Sequence, residues 1–169
     1  MVPTLTTLSV TVGPHLIKTK LLANCFCPNS YSSFRDSSRK TPTTGCYQEV
    51  NSLADYRTAS NKCTLSNNGF IAFDESYNKT VFLNQQLENQ LTNFWIGLTW
   101  DQSDNRWEWS DGTPLGSYQP WVGGSAPTGS SSLGCVYVNT DNQWVATDCS
   151  NSFAYICEAS PCDPLHYCP

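Results

Sequence analysis

Basic charge and long apolar runs are scarce in this chain, and each shortage excludes a class of partner. Charged residues make up 14% of the 169 residues, and 9 Lys and Arg face 14 Asp and Glu, for a formal net charge of −5 at pH 7. Nucleic acids and anionic membranes are bound by basic faces, so we expect neither as a partner. No apolar run is long enough to cross a bilayer, so we predict no membrane span.

Histidine is almost missing as well. The only two histidines, His15 and His166, lie near the two ends of the chain. A nucleophilic serine usually needs a neighbouring base, and the GxSxG motif of serine hydrolases is absent. Paired carboxylates that cleave glycosides would have to meet by a coincidence of folding. We therefore predict that the protein is not an enzyme.

Cysteine, in contrast, is abundant, with 9 in the chain. No CxxC pair is present, which favours disulfides in an oxidising compartment over a zinc site. The N-terminal stretch lacks the basic start of a typical signal peptide, so the cysteines carry our prediction of an extracellular, secreted protein. We predict a poorly ordered leader or divergent signal segment over residues 1–24, one domain over 25–159 and a Cys-containing tail over 160–169.

The chain is organised around Phe94–Glu158, which holds all 6 tryptophans and three of the cysteines. We interpret Trp95, Trp109 and Trp144 as core residues. Residues 112–140 contain no charged side chain. Residues 115–134 have no regular pattern, and long irregular segments of compact domains are often functional.

Two helices are predicted upstream of this stretch. Apolar spacing predicts the first over Leu53–Leu65, with Asn51 or Ser52 as its N-cap. The second is predicted over Glu75–Asn89, with Asp74 as its cap. The predicted strands are Cys46–Val50, Phe70–Phe73, Phe94–Leu98, Arg106–Trp109, Cys135–Val138, Gln143–Val145 and Phe153–Glu158.

Five short motifs, in order along the chain, resemble those of the C-type lectin-like domain. They are Cys46-Tyr47; Tyr56, Ala59 and Cys63; Trp95-Ile96-Gly97-Leu98; Trp109-Ser110-Asp111-Gly112; and Trp144 followed by Cys149 and Cys157. The resemblance covers about residues 27–158. It implies an α+β double-loop fold with two helices, two small antiparallel sheets and a long irregular loop, stapled by disulfides.

The resemblance also implies a disulfide scheme. It pairs Cys27 with Cys46, Cys63 with Cys157, and Cys135 with Cys149. Three cysteines remain, Cys25, Cys162 and Cys168. If the last two close a small tail loop, Cys25 is either removed in processing or available for a disulfide-linked dimer.

Sugar-binding members of this family hold calcium with a Glu-Pro-Asn or Gln-Pro-Asp triplet and an Asn-Asp pair after the strand tryptophan. Here Ala126-Pro127-Thr128 and Val145-Ala146 align with those positions. Calcium takes about 6–8 oxygen ligands, and these side chains offer one hydroxyl. Asp148 lies two residues further on, about 6.6 Å along an extended strand. We therefore expect no calcium cofactor, and the resemblance implies a cis peptide bond at Pro127. A second calcium site at Asp101, Asp104 and Glu108 stays open as an alternative.

The uncharged loop offers other means of recognition. Tyr118 and Trp121 could stack on sugar rings or anchor a protein partner, with Thr128 and Asp148 as polar neighbours, although the family places a core tryptophan where Trp121 lies. Asn78-Lys79-Thr80 is a candidate glycosylation sequon. The sequence thus predicts a secreted, non-enzymatic module that binds protein or glycan independently of calcium. The alternative is a calcium-dependent carbohydrate-binding lectin.

Overall fold

The computed structural model describes residues 27–28, 30–36, 43–66, 68–87 and 92–160. The predicted leader, Cys25 and nearly all of the predicted tail lie outside these ranges. The helices are α1 (Tyr56–Leu65) and α2 (Tyr77–Gln86), with a short 3-10 turn at Val122–Gly124. The strands are β1 (Ser32–Asp36), β2 (Thr43–Ala54), β3 (Phe70–Ile71), β4 (Phe94–Asp101), β5 (Arg106–Trp109), β6 (Cys135–Val138), β7 (Trp144–Thr147) and β8 (Phe153–Ala159).

The two predicted helices and the α+β class are confirmed, but the strands form one mixed sheet. The strand order is β1-β2-β8-β4-β6-β7, with β3 added to β8 and β5 added to β4. The join between the two halves is a parallel pairing of β4 with β8, in which Trp95 lies opposite Tyr155. Because this pairing connects them, the two separate antiparallel sheets of the prediction become a single eight-stranded sheet.

Helix α1 begins three residues later than predicted. β2 continues to Ala54, which pairs with Phe153 of β8, so the chain is still a strand where we expected the N-cap at Asn51 or Ser52. Asp55 caps the helix instead, because its carboxylate accepts the backbone N–H of Thr58 at 2.9 Å. The predicted inward face is correct, since the buried residues of α1 are Tyr56, Ala59 and Cys63.

Helix α2 is shorter than predicted, and its cap is Ser76 rather than Asp74. The Ser76 hydroxyl accepts the backbone N–H of Lys79 at 3.2 Å. Lys79 itself is buried and forms an ion pair with Glu158 of β8 at 2.9 Å. This pair attaches α2 to the sheet from inside the protein.

Three disulfides and a tryptophan core hold the fold together. The disulfides among the described residues are Cys27–Cys46, Cys63–Cys157 and Cys135–Cys149, the same pairs that the resemblance implies. Trp95, Trp109 and Trp144 are buried in the core, as predicted. Gly97 allows the backbone of β4 to approach β3, because a Cβ at this position would lie 2.5 Å from the carbonyl oxygen of Ile71.

Candidate functional site

The long loop, residues 112–134, is held down by aromatic rings. The indole Nε1 of Trp107 donates a hydrogen bond to the carbonyl oxygen of Pro127 at 2.7 Å. Two residues later the backbone crosses the ring of Trp100 so closely that a Cβ on Gly129 would lie 2.3 Å from it. The loop is therefore fixed against the sheet at residues 127–129.

Trp121 is a core residue. Its side chain is 3% exposed and packs against Trp107 and Trp144, with ring centroids 5.3 Å and 5.4 Å away. The interpretation of Trp121 as a ligand contact is corrected, because the ring that would stack on a ligand is covered.

Tyr118 is half-buried and points inward. Its hydroxyl forms a hydrogen bond of 2.7 Å with the hydroxyl of Thr80 on α2. Its ring lies edge-on to Trp144, with centroids 6.0 Å apart, and burial raises the pKa of the phenol. Both polar and apolar parts of Tyr118 therefore have partners inside the protein.

Thr128 and Asp148, the other predicted ligand contacts, are exposed. Asp148 lies just after β7, where its carboxylate accepts the backbone N–H of Ser150 at 2.8 Å. This hydrogen bond lowers the pKa of Asp148, so the group is a carboxylate at neutral pH. The Asp148 carboxylate therefore stabilises the turn that follows β7 and leaves one negative charge exposed there.

The side chains at the four positions that we aligned with the family's calcium ligands carry one oxygen atom in all. Ala126, Val145 and Ala146 carry no side-chain oxygen, and Thr128 carries one neutral hydroxyl. The peptide bond before Pro127 is trans, which corrects the expected cis bond. Within the described ranges, no three His, Cys, Asp or Glu side chains are grouped so that they could hold a metal ion.

In the acidic turn between β4 and β5, an arginine forms ion pairs with two of the carboxylates. The guanidinium of Arg106 lies 3.0 Å from carboxylate oxygens of both Asp104 and Glu108, and these neighbours raise its pKa. Asp101 accepts the backbone N–H of Ser103 at 2.7 Å. The carboxylates of this turn are therefore partnered within the protein.

A buried carboxylate connects α2, the long loop and β7, and sequence reasoning missed it. Asp74 is fully buried. It accepts the indole N–H of Trp144 and the hydroxyl of Thr80, both at 2.7 Å, and Thr80 in turn bonds Tyr118. Burial raises the pKa of Asp74 to about 6, although the hydrogen bonds from Trp144 and Thr80 oppose this effect. One sequence signal could have indicated that Asp74 is buried: it directly follows an apolar stretch and lies two residues before the helix cap Ser76.

A model of the Lectin C-type domain matches residues 52–159, which are most of the chain. The chain belongs to this family. Human C-type mannose receptor 2 is 29% identical over 142 residues, covering 80% of this chain but 9% of the receptor. Chicken hepatic lectin is 31% identical over 114 residues, covering 67% of this chain and 54% of that protein. The chain therefore spans a small part of the first relative and about half of the second.

Solved structures confirm the fold of this lectin-type domain. The carbohydrate-recognition domain of mouse scavenger receptor C-type lectin superimposes with a TM-score of 0.65 at 22% identity, covering 85% of this chain and all of that one (100%). A calcium-independent type II antifreeze protein reaches 0.65 at 20% identity, covering 81% and 96%. Neither described helix is long and apolar enough to pass through a bilayer.

Proposed function

We propose that this C-type lectin domain is a secreted, non-enzymatic recognition module that binds a protein or glycan independently of calcium. One observation carries the proposal: the four side chains at positions 126, 128, 145 and 146 supply a single neutral hydroxyl. Calcium binding to proteins needs several charged or carbonyl oxygens. Backbone carbonyls alone would give a weak calcium site, and that of Pro127 already accepts the Trp107 indole N–H.

The surface left for recognition is neutral and preformed. The exposed part of the long loop includes Val122, 48% exposed, together with Thr128 and several serines. Trp100 and Trp107 fix the loop backbone from below. A loop that is already ordered loses less conformational entropy on binding, so this surface suits direct contact with a ligand.

Two further features support the secreted and non-enzymatic parts of the proposal. Three disulfides within one small domain are typical of an oxidising compartment. Asp74, the carboxylate with the strongly raised pKa, is fully buried and engaged by Trp144 and Thr80. A catalytic acid must reach its substrate, and Asp74 is enclosed, so its pKa serves the structure.

The proposal is tested by calcium titration of the purified chain. We expect the same melting temperature in excess CaCl₂ and in EDTA, and no binding heat for Ca²⁺ by calorimetry. Ligand capture on glycan and extracellular-protein arrays should be equal in the two buffers. A calcium-dependent rise in melting temperature together with calcium-dependent glycan capture would refute the proposal and establish the lectin alternative. Thr128→Ala and Asp148→Asn would then show whether those oxygens hold the ion.

A further inference from the structure

An open groove lies between α2 and the turn that joins β6 to β7. Its volume is about 240 Å³, and it is lined by Val81, Asn84, Gln85, Thr140 and Asn142. Four of these side chains are uncharged groups that can form hydrogen bonds, one is aliphatic, and none carries a charge. Clefts for drug-sized ligands have volumes of roughly 300–1,000 Å³, so this groove suits a ligand of about one ring.

One wall of the groove is a continuous stripe on α2. Residues 77, 81, 84 and 85 are spaced so that they lie on one face of a helix. Tyr77 begins this stripe and is 63% exposed, which places an aromatic ring about one helical turn from the groove. The helix therefore offers one aromatic and one aliphatic side chain beside two amides.

The other wall is a rigid turn. The side-chain oxygen of Asn139 accepts the backbone N–H groups of Asp141 and Gln143 at 3.0 Å and 2.9 Å. Asn142 occupies the left-handed region with φ of 61°, a conformation that asparagine tolerates better than most residues. Its side-chain oxygen accepts a hydrogen bond from the amide of Asn84. This contact connects the turn to α2, so the two walls of the groove are joined by a hydrogen bond.

Much of the hydrogen-bonding capacity in the groove is still available. Each side-chain amide has two N–H donors and an oxygen with two lone pairs, and the Asn84–Asn142 contact uses one donor and one lone pair. The amide of Gln85 is exposed and forms no hydrogen bond with another residue in the described part of the chain. Amide and hydroxyl groups beside an aliphatic side chain match the hydroxyls and C–H faces of a sugar ring.

We propose that this groove binds a neutral saccharide directly, without a metal ion. The lining contains no cationic side chain to pair with a phosphate or carboxylate ligand. Asn84, Gln85 and Asn142 bond the sugar hydroxyls, Val81 contacts the ring, and Tyr77 packs against the adjoining residue. The inference goes beyond the proposed function, because it concerns α2 and the β6–β7 turn rather than the long loop.

The saccharide can come from two sources. One is a glycan on another molecule. The other is the chain itself, since the sequon asparagine Asn78 is exposed on α2 and follows Tyr77 directly. Asn78 is seven residues from Gln85, or about 10.5 Å along the helix axis, so an attached glycan would begin within reach of the groove.

The test is a ¹⁵N NMR titration of the full chain carrying Asn78→Gln, in EDTA, with N-acetyl-D-glucosamine, methyl α-D-mannopyranoside and D-galactose. We expect at least one sugar to shift the side-chain amide signals of Asn84, Gln85 and Asn142, and glycerol to leave them unchanged. Gln85→Ala and Tyr77→Ala should each weaken binding about 2- to 10-fold. Gln102→Ala, an exposed amide on the β4–β5 turn, is the matched control and should bind normally.

The outcomes separate this inference from the proposed function. Chemical-shift changes confined to long-loop residues such as Thr128 would refute saccharide binding in the groove and would support the proposed function. The absence of chemical-shift changes with all three sugars, or equal changes with glycerol, would also refute saccharide binding in the groove. The wild-type protein produced in a glycosylating host identifies the source. If enzymatic removal of its glycan is needed before free sugar binds, the attached glycan occupies the groove, and if free sugar binds at once, the ligand is external.

Discussion

Acidification should strengthen this fold through Asp74, the opposite of what most aspartates do. Burial raises the pKa of Asp74 to about 6, against hydrogen bonds from Trp144 and Thr80 and the nearby charge of Lys79, whereas the nearby charge of Glu75 raises it further. The unfolded value is 3.8, so the folded state binds the proton more tightly. The resulting stability is fully present below the unfolded pKa and is lost as the pH rises through about 6.

The size of the effect follows from these two pKa values. Between about pH 7.5 and about pH 4.5, the linkage relation gives a gain of about 2 kcal/mol in the free energy of unfolding. The hydrogen bonds around the carboxyl group can accommodate the proton. The hydroxyl of Thr80 can reverse, accept from protonated Asp74 and donate to Tyr118, because its 2.7 Å contact with Tyr118 allows either oxygen to donate.

Urea unfolding followed by tryptophan fluorescence measures this effect. Asp74→Asn resembles the protonated side chain and does not titrate, so the gain should vanish in the variant. Asp55 and Asp148, whose pKa values are lowered by hydrogen bonds, lose stability in acid in both proteins and cancel in the difference. If wild type and Asp74→Asn show the same change between the two pH values, the reasoning is refuted.

Two further predictions concern packing and a buried charge. Gly129→Ala should lower the free energy of unfolding by about 1–3 kcal/mol, because its Cβ would meet the ring of Trp100. Gly116→Ala, which meets no atom within 4 Å, is the matched control in the same urea experiment, and equal losses in the two variants would contradict the packing argument. Lys79→Ala should cost about 3–5 kcal/mol by leaving Glu158, whose side chain is 12% exposed, without its cation. Adding Glu158→Gln to Lys79→Ala should recover part of this loss in calorimetry, and strictly additive losses would show that the pair is not coupled.

Much of the fold could be predicted because its signals are local. Cys63, Trp95 and Trp144 stand in short motifs whose spacing survives at low identity, and the structure places all three in the core. Helix boundaries were less predictable. Ser52 is a good cap in isolation, but the pairing of Ala54 with Phe153 keeps the chain extended past it. The start of α1 is therefore set by a strand partner about a hundred residues away, whereas local propensity alone would begin the helix earlier.

The details of the site depended on contacts that are distant in sequence. Asp74 accepts a hydrogen bond from Trp144, and the side-chain amide of Asn84 donates one to Asn142. Neither pair has a sequence spacing that predicts the contact. The prediction of Trp121 as a core residue was correct, and its interpretation as a ligand contact was wrong. A tryptophan in a polar loop can pack into the core or contact a ligand, and the sequence does not show which neighbours surround it. The calcium argument needed only the chemical identity of four side chains, so the sequence was sufficient to form it.

The position of β8 has a consequence for how the protein is made. This strand, the last in the described part of the chain, pairs with β2, β3 and β4 at once and carries Cys157. During synthesis the sheet cannot close until β8 has left the ribosome, because no earlier strand fills that place. Cys27 and Cys46 are 19 residues apart, whereas Cys63 and Cys157 are 94 apart, so Cys63 can reach its native partner only after Cys157 has been synthesised. Among the described disulfides, Cys63–Cys157 is therefore the last that can form during synthesis, and enzymes that undo premature cysteine pairing should govern the yield of folded protein.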